Sequence, residues 1–219
     1  MKTKLCAIGA AAVLASMANA DTLFMSITAD NHYALYSSTS GLFSYHGGNE
    51  LGAGGNPGSY NWSLPEQYTI QSADRVFIAA WSDDSVAQGV LAQVYNQNET
   101  EFHSGNAAWS VYRTGINRGD GDPHPLVEEI AGHVGTADSM NLWQAIYAGE
   151  ANGTDPWGTV PDITSAARWM WCNVDGDSDP LRGGSGAGEM LIFSMQVPTP
   201  GTLALAGLGG LLCTRRRRA

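Results

Sequence analysis

The sequence predicts a mainly β domain, organised as a β-sandwich or jelly roll with one or two short helices. Three observations lead to this prediction: strand-like apolar runs recur along the chain, turn-forming residues separate them, and 27 of the 219 residues are glycine. Short strands spaced by turn signals are typical of antiparallel sandwiches, whereas a parallel α/β sheet needs helices between its strands. The sequence shows no internal repeat of solenoid or propeller period.

The strand-like runs are predicted in chain order. The first two, residues 22–29 and 32–38, are separated by the turn-forming pair Asp30-Asn31. A short run at 42–45 precedes a long glycine-rich loop, and the segment EQYTIQS then leads into a run at 75–82 that is apolar on both faces. The remaining strand-like runs occupy residues 88–96, 107–115, 167–174 and 189–197.

The apolar period changes between residues 125 and 147, where a helical pattern replaces the strand pattern. The apolar positions that recur at helical spacing are Leu126, Ile130, Val134, Leu142 and Ile146. We therefore expect one or two short helices in this region, covering an end or an edge of the sheets.

Residues 1–20 have the three parts of a secretory signal peptide. Lys2 and Lys4 give a positive start, residues 5–17 are apolar or small, and Ala18-Asn19-Ala20 matches the A-x-A cleavage pattern. The apolar run is shorter than the roughly 20 residues that a membrane-spanning helix needs. We expect cleavage after Ala20 and export of the rest of the chain.

A second three-part pattern occupies residues 197–219. Pro198-Thr199-Pro200 interrupts regular structure, because proline fixes φ and lacks an N–H, and an uncharged, mostly apolar run begins at Gly201. As a helix, this run is too short to cross a hydrocarbon core about 30 Å thick. The four arginines that follow, Arg215, Arg216, Arg217 and Arg218, would stay on the cytoplasmic side of a membrane under the positive-inside rule.

This tail resembles a PEP-CTERM sorting signal, the substrate of exosortase-type membrane proteases in bacteria that make exopolysaccharide. The resemblance covers residues 197–218, with Thr199 in place of the glutamate of Pro-Glu-Pro. It implies transient anchoring in the inner membrane, recognition by an exosortase-type protease, and delivery to the cell envelope, outer surface or extracellular matrix. The expected organisation is a signal peptide at 1–20, an ectodomain at 21–196 and a sorting tail at 197–219.

The expected ectodomain is strongly acidic. It contains all 21 acidic residues, five arginines and no lysine, because the other six basic residues lie in the terminal segments, and its net charge is therefore −16. This composition argues against nucleic acid or anionic lipid as a partner of this region, since binding to phosphates depends on Lys and Arg. Cys172 is the single cysteine between the terminal segments, so no intrachain disulfide is expected.

The first half of the ectodomain carries a second resemblance. The segments SITADNHYALYSS and ADRVFIAAWSDDSVAQGVLAQV resemble the galactose-binding-like jelly rolls of bacterial surface proteins. The shared pattern is a strand, an Ala-Asp-Asn turn, a strand carrying LY, and a strand that ends in a W-x-D pair. The resemblance implies a scaffold on which many members bind glycans, and it makes exopolysaccharide a candidate partner.

Acidic residues in two loops suggest ligand contacts. Asp175, Asp177 and Asp179 alternate in the glycine-containing loop NVDGDSDP, where their carboxylates could converge on a calcium ion. The EF-hand pattern is not met, so a solvated acidic turn is the favoured interpretation and a calcium-stabilised loop is the alternative. The pair Asp83-Asp84 follows a buried run and is interpreted as a turn cap, with contact to a sugar hydroxyl or an ion as the alternative.

Seven tryptophans give the chain several candidate aromatic contacts. Trp81, Trp109 and Trp169 lie in strand-like runs and are expected in the core. Trp62 and Trp157 lie in loops beside glycine and proline. They are the candidate glycan-binding residues, because loops on a rigid scaffold carry most binding residues and indole faces supply large contact area.

No catalytic motif emerges from the sequence. The five histidines lack metal-ligand spacing such as H-E-x-x-H, and the segment GGSGAGE lacks the second glycine of a nucleophile elbow. The sequence therefore predicts a non-enzymatic exported surface or matrix protein. Glycan binding is a hypothesis within this prediction, based on the jelly-roll resemblance and the loop tryptophans. The alternative is a carbohydrate-active hydrolase that uses a carboxylate pair in residues 98–196, since the spacing of such a pair is set by the fold.

Overall fold

The computed structural model describes residues 22–49, 61–83, 86–97, 101–173, 176–182 and 186–197. Ten strands and one helix lie within these residues: β1 (Leu23–Asp30), β2 (His32–Thr39), β3 (Leu42–Gly48), β4 (Glu66–Ile70), β5 (Arg75–Trp81), β6 (Gly89–Asn96), β7 (Trp109–Asn117), α1 (Val127–Met140), β8 (Gln144–Ala151), β9 (Arg168–Cys172) and β10 (Glu189–Gln196). The prediction of a mainly β fold is confirmed, and every strand-like run contains a strand.

The ten strands form one antiparallel sheet in the order β3-β2-β5-β10-β7-β8-β9-β6-β1-β4. Strand β8 divides this sheet into two halves, because it pairs with β7 through Gln144 and Ala145 and with β9 from Ile146 onward. One half contains β2, β5 and β10, and the other contains β1, β6 and β9. The strongly paired strands β1 and β6 run side by side from Leu23 opposite Asn96 to Asp30 opposite Gly89.

The main core lies between the two halves of the sheet. Trp171 of β9 and Phe193 of β10 come from different halves, and their ring centroids are 6.0 Å apart. Val76 and Ile78 of β5 belong to this core, whereas Phe77 between them belongs to a separate buried cluster. This alternation follows from the two-residue period of a strand, and it makes the fold sandwich-like.

Helix α1 covers the outer face of the half that contains β5 and β10. Its residues Ile130, Val134 and Ala137 are buried in one cluster with Phe77 and Ile192 of those strands. The expectation that helices cover an end or edge of the sheets is therefore wrong, because the second apolar face of β5 and β10 needs a covering layer. This face explains why the run at 75–82 is apolar on both sides.

The prediction of helical structure at Leu142 and Ile146 is wrong. Asn141 adopts a left-handed conformation and its N–H bonds the carbonyls of Ala137 and Asp138, which ends α1 before Leu142. Ile146 lies in strand β8, which the sequence did not predict. The four-residue spacing of Leu142 and Ile146 therefore reflects no helix.

Three side chains connect strands near the two ends of the sheet order. The Tyr33 hydroxyl of β2 donates to Glu66 Oε2 of β4 at 2.8 Å, and the Tyr68 hydroxyl of β4 lies 2.9 Å from the Tyr33 oxygen. Because Tyr33 uses its hydrogen on Glu66, Tyr68 is the donor in the second bond. Burial raises the pKa of both Tyr33 and Glu66. This network fastens the open ends of the sandwich.

Val197, the first residue of the predicted tail, is described: it is buried in the main core and its N–H donates to the Asp74 carbonyl at 2.9 Å. The rest of both predicted terminal segments lies outside the described residues. This applies to the cleavage residues Ala18 and Ala20 and to the sorting residues at 198–201 and 215–218. The signal peptide, the sorting tail and the division of the chain at residues 20 and 197 stay predictions. Within the part of the chain that the structure describes, no helix has the length and apolarity needed to cross a membrane.

Candidate functional site

A pocket of about 210 Å³ lies where several strand ends meet. It is built from the end of β1, the segment after β5, the residues before β6, the loop before β4 and the loop between β8 and β9. Its lining residues are Asp30, Asn31, Trp62, Asp83, Val86, Ala87, Pro156 and Trp157. We name it the Trp62–Trp157 pocket, since the fold brings together in it both tryptophans that the sequence singled out.

Trp157 forms a wall of this pocket and is only 4% exposed. Its ring stacks on Trp169 of β9 with centroids 4.1 Å apart, and its Nε1 donates to Asp30 Oδ2 at 2.7 Å. The expectation of an open stacking platform at Trp157 is therefore wrong, because one ring face is covered by Trp169. Its remaining contact with the pocket lies beside the Asp30 carboxyl.

A buried amide explains why the loop around Trp157 folds back onto the sheet. Asn152 Nδ2 donates to the carbonyls of Val160 at 2.9 Å and Ile163 at 2.7 Å, and its Oδ1 accepts from the Val160 N–H at 2.8 Å. The side chain thus replaces backbone partners that the irregular loop lacks. Trp157 is therefore held in place by the loop backbone as well as by its own contacts.

Trp62 lies on another side of the pocket and is half-buried. Its carbonyl accepts a hydrogen bond from Thr28 Oγ1 of β1 at 2.9 Å, and its ring packs against the main core. Trp62 therefore keeps an accessible indole surface on an anchored backbone. Of the two predicted residues, it is the one that retains surface for stacking.

Asn31 ties together the two segments that carry the pocket's carboxylates. Its Oδ1 accepts from the Ser82 hydroxyl and from the Asp83 N–H, both at 3.0 Å, and its carbonyl accepts from Asn49 Nδ2 at 2.6 Å. Asn31 is 7% exposed, whereas Asp83 is exposed. These bonds fix the backbone from which Asp83 reaches the pocket.

The environment of Asp30 raises the pKa of its carboxyl group. Burial raises the pKa of Asp30, and the charge of Asp83 raises it further, while the hydrogen bond from Trp157 and the neighbouring His32 oppose the rise. Burial and the charge of Asp83 therefore disfavour negative charge on Asp30. A ligand that donates hydrogen bonds, or that carries positive charge, would relieve this cost.

His32 is the basic side chain that affects Asp30, but it does not line the pocket. Its ring is fully buried and stacks on Trp81 with centroids 5.2 Å apart. Its Nε2 lies 3.0 Å from Asp120 Oδ1. Among the described residues, no Lys, Arg or His lines the pocket. The pocket is therefore acidic and aromatic in character.

A second concave region lies beside β7 and β8. Two adjoining cavities of about 290 and 460 Å³ share Trp143 and Gln144, and no carboxylate of the described residues lines them. The Trp143 Nε1 donates to Asp138 Oδ1 at 2.6 Å, and the Arg75 guanidinium lies 5.0 Å from its ring centre. We name this region the Trp143 groove. The sequence did not single out Trp143, because it adjoins a helical pattern.

The acidic loop predicted to bind calcium is described only in part. Asp175 lies outside the described residues. Asp177 Oδ1 accepts a hydrogen bond from the Asp179 N–H at 3.0 Å, and Asp179 Oδ2 lies 3.6 Å from Arg182 Nε. Among the residues that the structure does describe, no group of three or more His, Cys, Asp or Glu side chains could hold a metal ion. Calcium binding at this loop stays a prediction.

The pocket also contains residues that the sequence did not assign to a site. Asp30 and Asn31 were interpreted as a turn, and the cap interpretation was favoured for Asp83. Their positions in the sequence were the available signal. Asp30 is the last residue of the apolar strand β1, Asp83 follows the apolar strand β5 by two residues, and both residues line the same pocket. The pair lies in the first half of the ectodomain, whereas a hydrolase pair was expected in residues 98–196.

No protein-family model, curated protein or solved structure matches the chain.

Proposed function

We propose that this chain is an exported protein of the bacterial cell surface or extracellular matrix that binds glycans through the Trp62–Trp157 pocket. The observation that supports this most is the convergence of two loop tryptophans, two carboxyl groups and one amide on a single concavity. Binding pockets commonly combine apolar walls with a few polar groups that fix ligand orientation.

Each part of the pocket has a role in sugar recognition under this proposal. The accessible indole of Trp62 packs against the C–H face of a sugar ring, which buries apolar surface at low entropic cost. Asp30 and Asp83 accept hydrogen bonds from hydroxyl groups, and hydrogen bonds to charged acceptors are stronger than neutral ones. Trp157 keeps the Asp30 carboxyl in place through its N–H.

Under this proposal, the two terminal segments direct the protein to the place where it binds glycans. Residues 1–20 direct export, and residues 197–219 pause the chain in the inner membrane for an exosortase-type protease. The net charge of −16 in residues 21–196 favours solubility of the released protein among anionic matrix polymers. Intact mass measurement of the native extracellular protein tests both ends, with Asp21 and a residue near 197–199 as the expected termini; a retained Ala219 would refute the sorting proposal.

The binding proposal is tested by comparing two tryptophan variants on polysaccharides from exopolysaccharide-producing bacteria. Trp62→Ala should reduce the affinity of the full chain by about tenfold, since a stacked aromatic contributes at the level of an interface hot spot. Trp143→Ala is the matched control, because Trp143 is also a half-buried indole in a concavity. Equal loss in both variants, or loss only with Trp143→Ala, would refute the assignment to this pocket.

A carbohydrate-active hydrolase is the second candidate, and one observation favours it. Asp30, whose pKa is raised by burial, and Asp83 line the same pocket, as an acid and its partner carboxylate do in glycosidases. Incubation with oligosaccharides and an assay for new reducing ends tests this candidate. Turnover that disappears in Asp83→Asn would favour the hydrolase, whereas binding without turnover would favour the non-enzymatic proposal.

A further inference from the structure

The charge of the Trp62–Trp157 pocket says more about its ligand than the shape does. Asp30 and Asp83 both line it, and no basic side chain of the described residues does. An anionic sugar would meet two like charges in a body of net charge −16, which is unfavourable at short range. A uronic-acid unit is therefore a poor fit to this pocket.

A neutral sugar would bring no positive charge to offset the unfavourable burial of negative charge on Asp30. The Asp30 side chain is half-buried, and both its burial and the nearby charge of Asp83 raise its pKa. Hydroxyl groups can donate to both carboxylates, but they bring no charge. A cationic group compensates a buried carboxylate directly, because buried charges are tolerated when they are paired.

The aromatic walls favour the same class of ligand. Indole faces attract cations through the negative face of the ring, and tryptophan does so most strongly. Trp62 supplies an accessible indole beside the two carboxyl groups. The pocket volume of about 210 Å³ is below the range typical for drug-sized ligands, so it suits a single sugar ring.

A metal ion is a weaker match to the same residues. Calcium requires six to eight oxygen ligands, whereas the described part of the chain has no cluster of three or more metal-binding side chains. An organic ammonium group needs fewer ligands and also packs against indole surface.

We propose that the Trp62–Trp157 pocket selects a protonated amino sugar over the neutral N-acetylated sugar and over anionic sugars. This inference rests on the proposed glycan-binding function and names its ligand class. The ammonium group lies between the Asp30 and Asp83 carboxylates, and the sugar ring packs on Trp62. In a matrix polymer, the recognised unit is a de-N-acetylated residue.

The test compares the disaccharides of glucosamine and of N-acetylglucosamine by calorimetric titration of the full chain, at a pH where the amine is protonated. The glucosamine disaccharide should bind at least about tenfold more tightly, as expected for one charge-assisted contact, and its affinity should fall with added salt. Short sugars are used because a long polycation would bind any strongly acidic surface.

Three substitutions locate the selectivity. Asp30→Asn and Asp83→Asn remove one charge each, and Asn at position 30 retains an oxygen that accepts from Trp157 Nε1. Both should reduce glucosamine binding by about tenfold and leave N-acetylglucosamine binding within about twofold. Asp162→Asn is the matched control: this exposed residue lies outside the pocket, and asparagine tolerates its φ of 59°.

The outcomes separate the inference from the proposed function. Equal or tighter binding of the N-acetylated disaccharide would overturn the inference and leave glycan binding intact. Equal losses in the pocket variants and in Asp162→Asn would also overturn it, because the preference would then come from net charge. Failure of both disaccharides and of all polysaccharides to bind would overturn the proposed function itself.

Discussion

Replacing Trp157 tests whether the pocket depends on a buried indole. Trp157 is 4% exposed, stacks on Trp169 with a 4.1 Å centroid separation, and donates to Asp30. Trp157→Ala should lower the free energy of unfolding by about 3–5 kcal/mol, the usual cost of removing a buried aromatic ring. A loss of this size is a large part of the stability of a single domain, typically about 5–15 kcal/mol.

Trp157→Phe separates the stack from the hydrogen bond. Phenylalanine keeps an aromatic ring against Trp169 but has no N–H for the Asp30 carboxyl. The expected cost is about 1–3 kcal/mol, the penalty of leaving a buried polar group without its partner. Because the Trp157 hydrogen bond lowers the pKa of Asp30, this variant should raise that pKa further.

Urea unfolding of the full chain, monitored by circular dichroism, measures the loss of unfolding free energy in both variants. Trp62→Ala is the comparison variant and should cost less than Trp157→Ala, because Trp62 is half-buried. The reasoning is refuted if Trp157→Ala costs less than about 1 kcal/mol, which would place this ring at the surface. It is also refuted if Trp157→Phe costs as much as Trp157→Ala.

Three further predictions concern stability and reactivity. Tyr33→Phe should cost about 1–3 kcal/mol in urea unfolding, because it leaves Glu66 without its donor and the Tyr68 hydroxyl without its acceptor; an unchanged midpoint would contradict the proposed fastening of the sandwich. Burial raises the pKa of Asp30 and Glu66 above the ordinary values of 3.8 and 4.5. Between the ordinary and the raised pKa values, the folded state keeps protons that the unfolded state has released. The free energy of unfolding should therefore fall as the pH rises through this window. A stability curve that rises over this window in the wild type but not in Asp30→Asn would contradict the assignment. Burial raises the pKa of the Cys172 thiol to about 12, so iodoacetamide should leave this thiol unmodified at pH 8 until denaturant is added; rapid labelling of the native chain would show that Cys172 is accessible.

Most of the sheet could be predicted because its strands are buried. Runs such as β1 and β10 have burial patterns that are almost continuous, and such runs are apolar in sequence. Strand β8 escaped prediction because its residues are mostly exposed or half-buried and because it changes partners at Ile146. Its apolar positions carry no two-residue period, so Ile146 matched the helical period of the preceding segment instead.

The pocket was harder to predict than the sheet. Trp62 and Trp157 could be singled out because aromatic residues in loops often contact ligands. The burial of Trp157 could not be predicted, because it depends on the stack with Trp169 of strand β9, and only the fold brings the two rings together. Asp30 and Asp83 belong to different strand ends, and only the antiparallel fold places them beside one pocket. The turn propensity of these residues predicts their local backbone, but it does not indicate that both side chains line the same pocket.

The central claim is that a glycan occupies the Trp62–Trp157 pocket, and indole NMR tests it most directly. The chain has seven tryptophans, so the side-chain N–H signals of a ¹⁵N-labelled sample can be assigned by single substitutions and followed during titration with the glucosamine disaccharide. If the disaccharide binds in this pocket, the Trp62 and Trp157 signals should shift with a common affinity while the Trp143 signal stays in place. Movement of the Trp143 signal with unchanged Trp62 and Trp157 signals would contradict this claim.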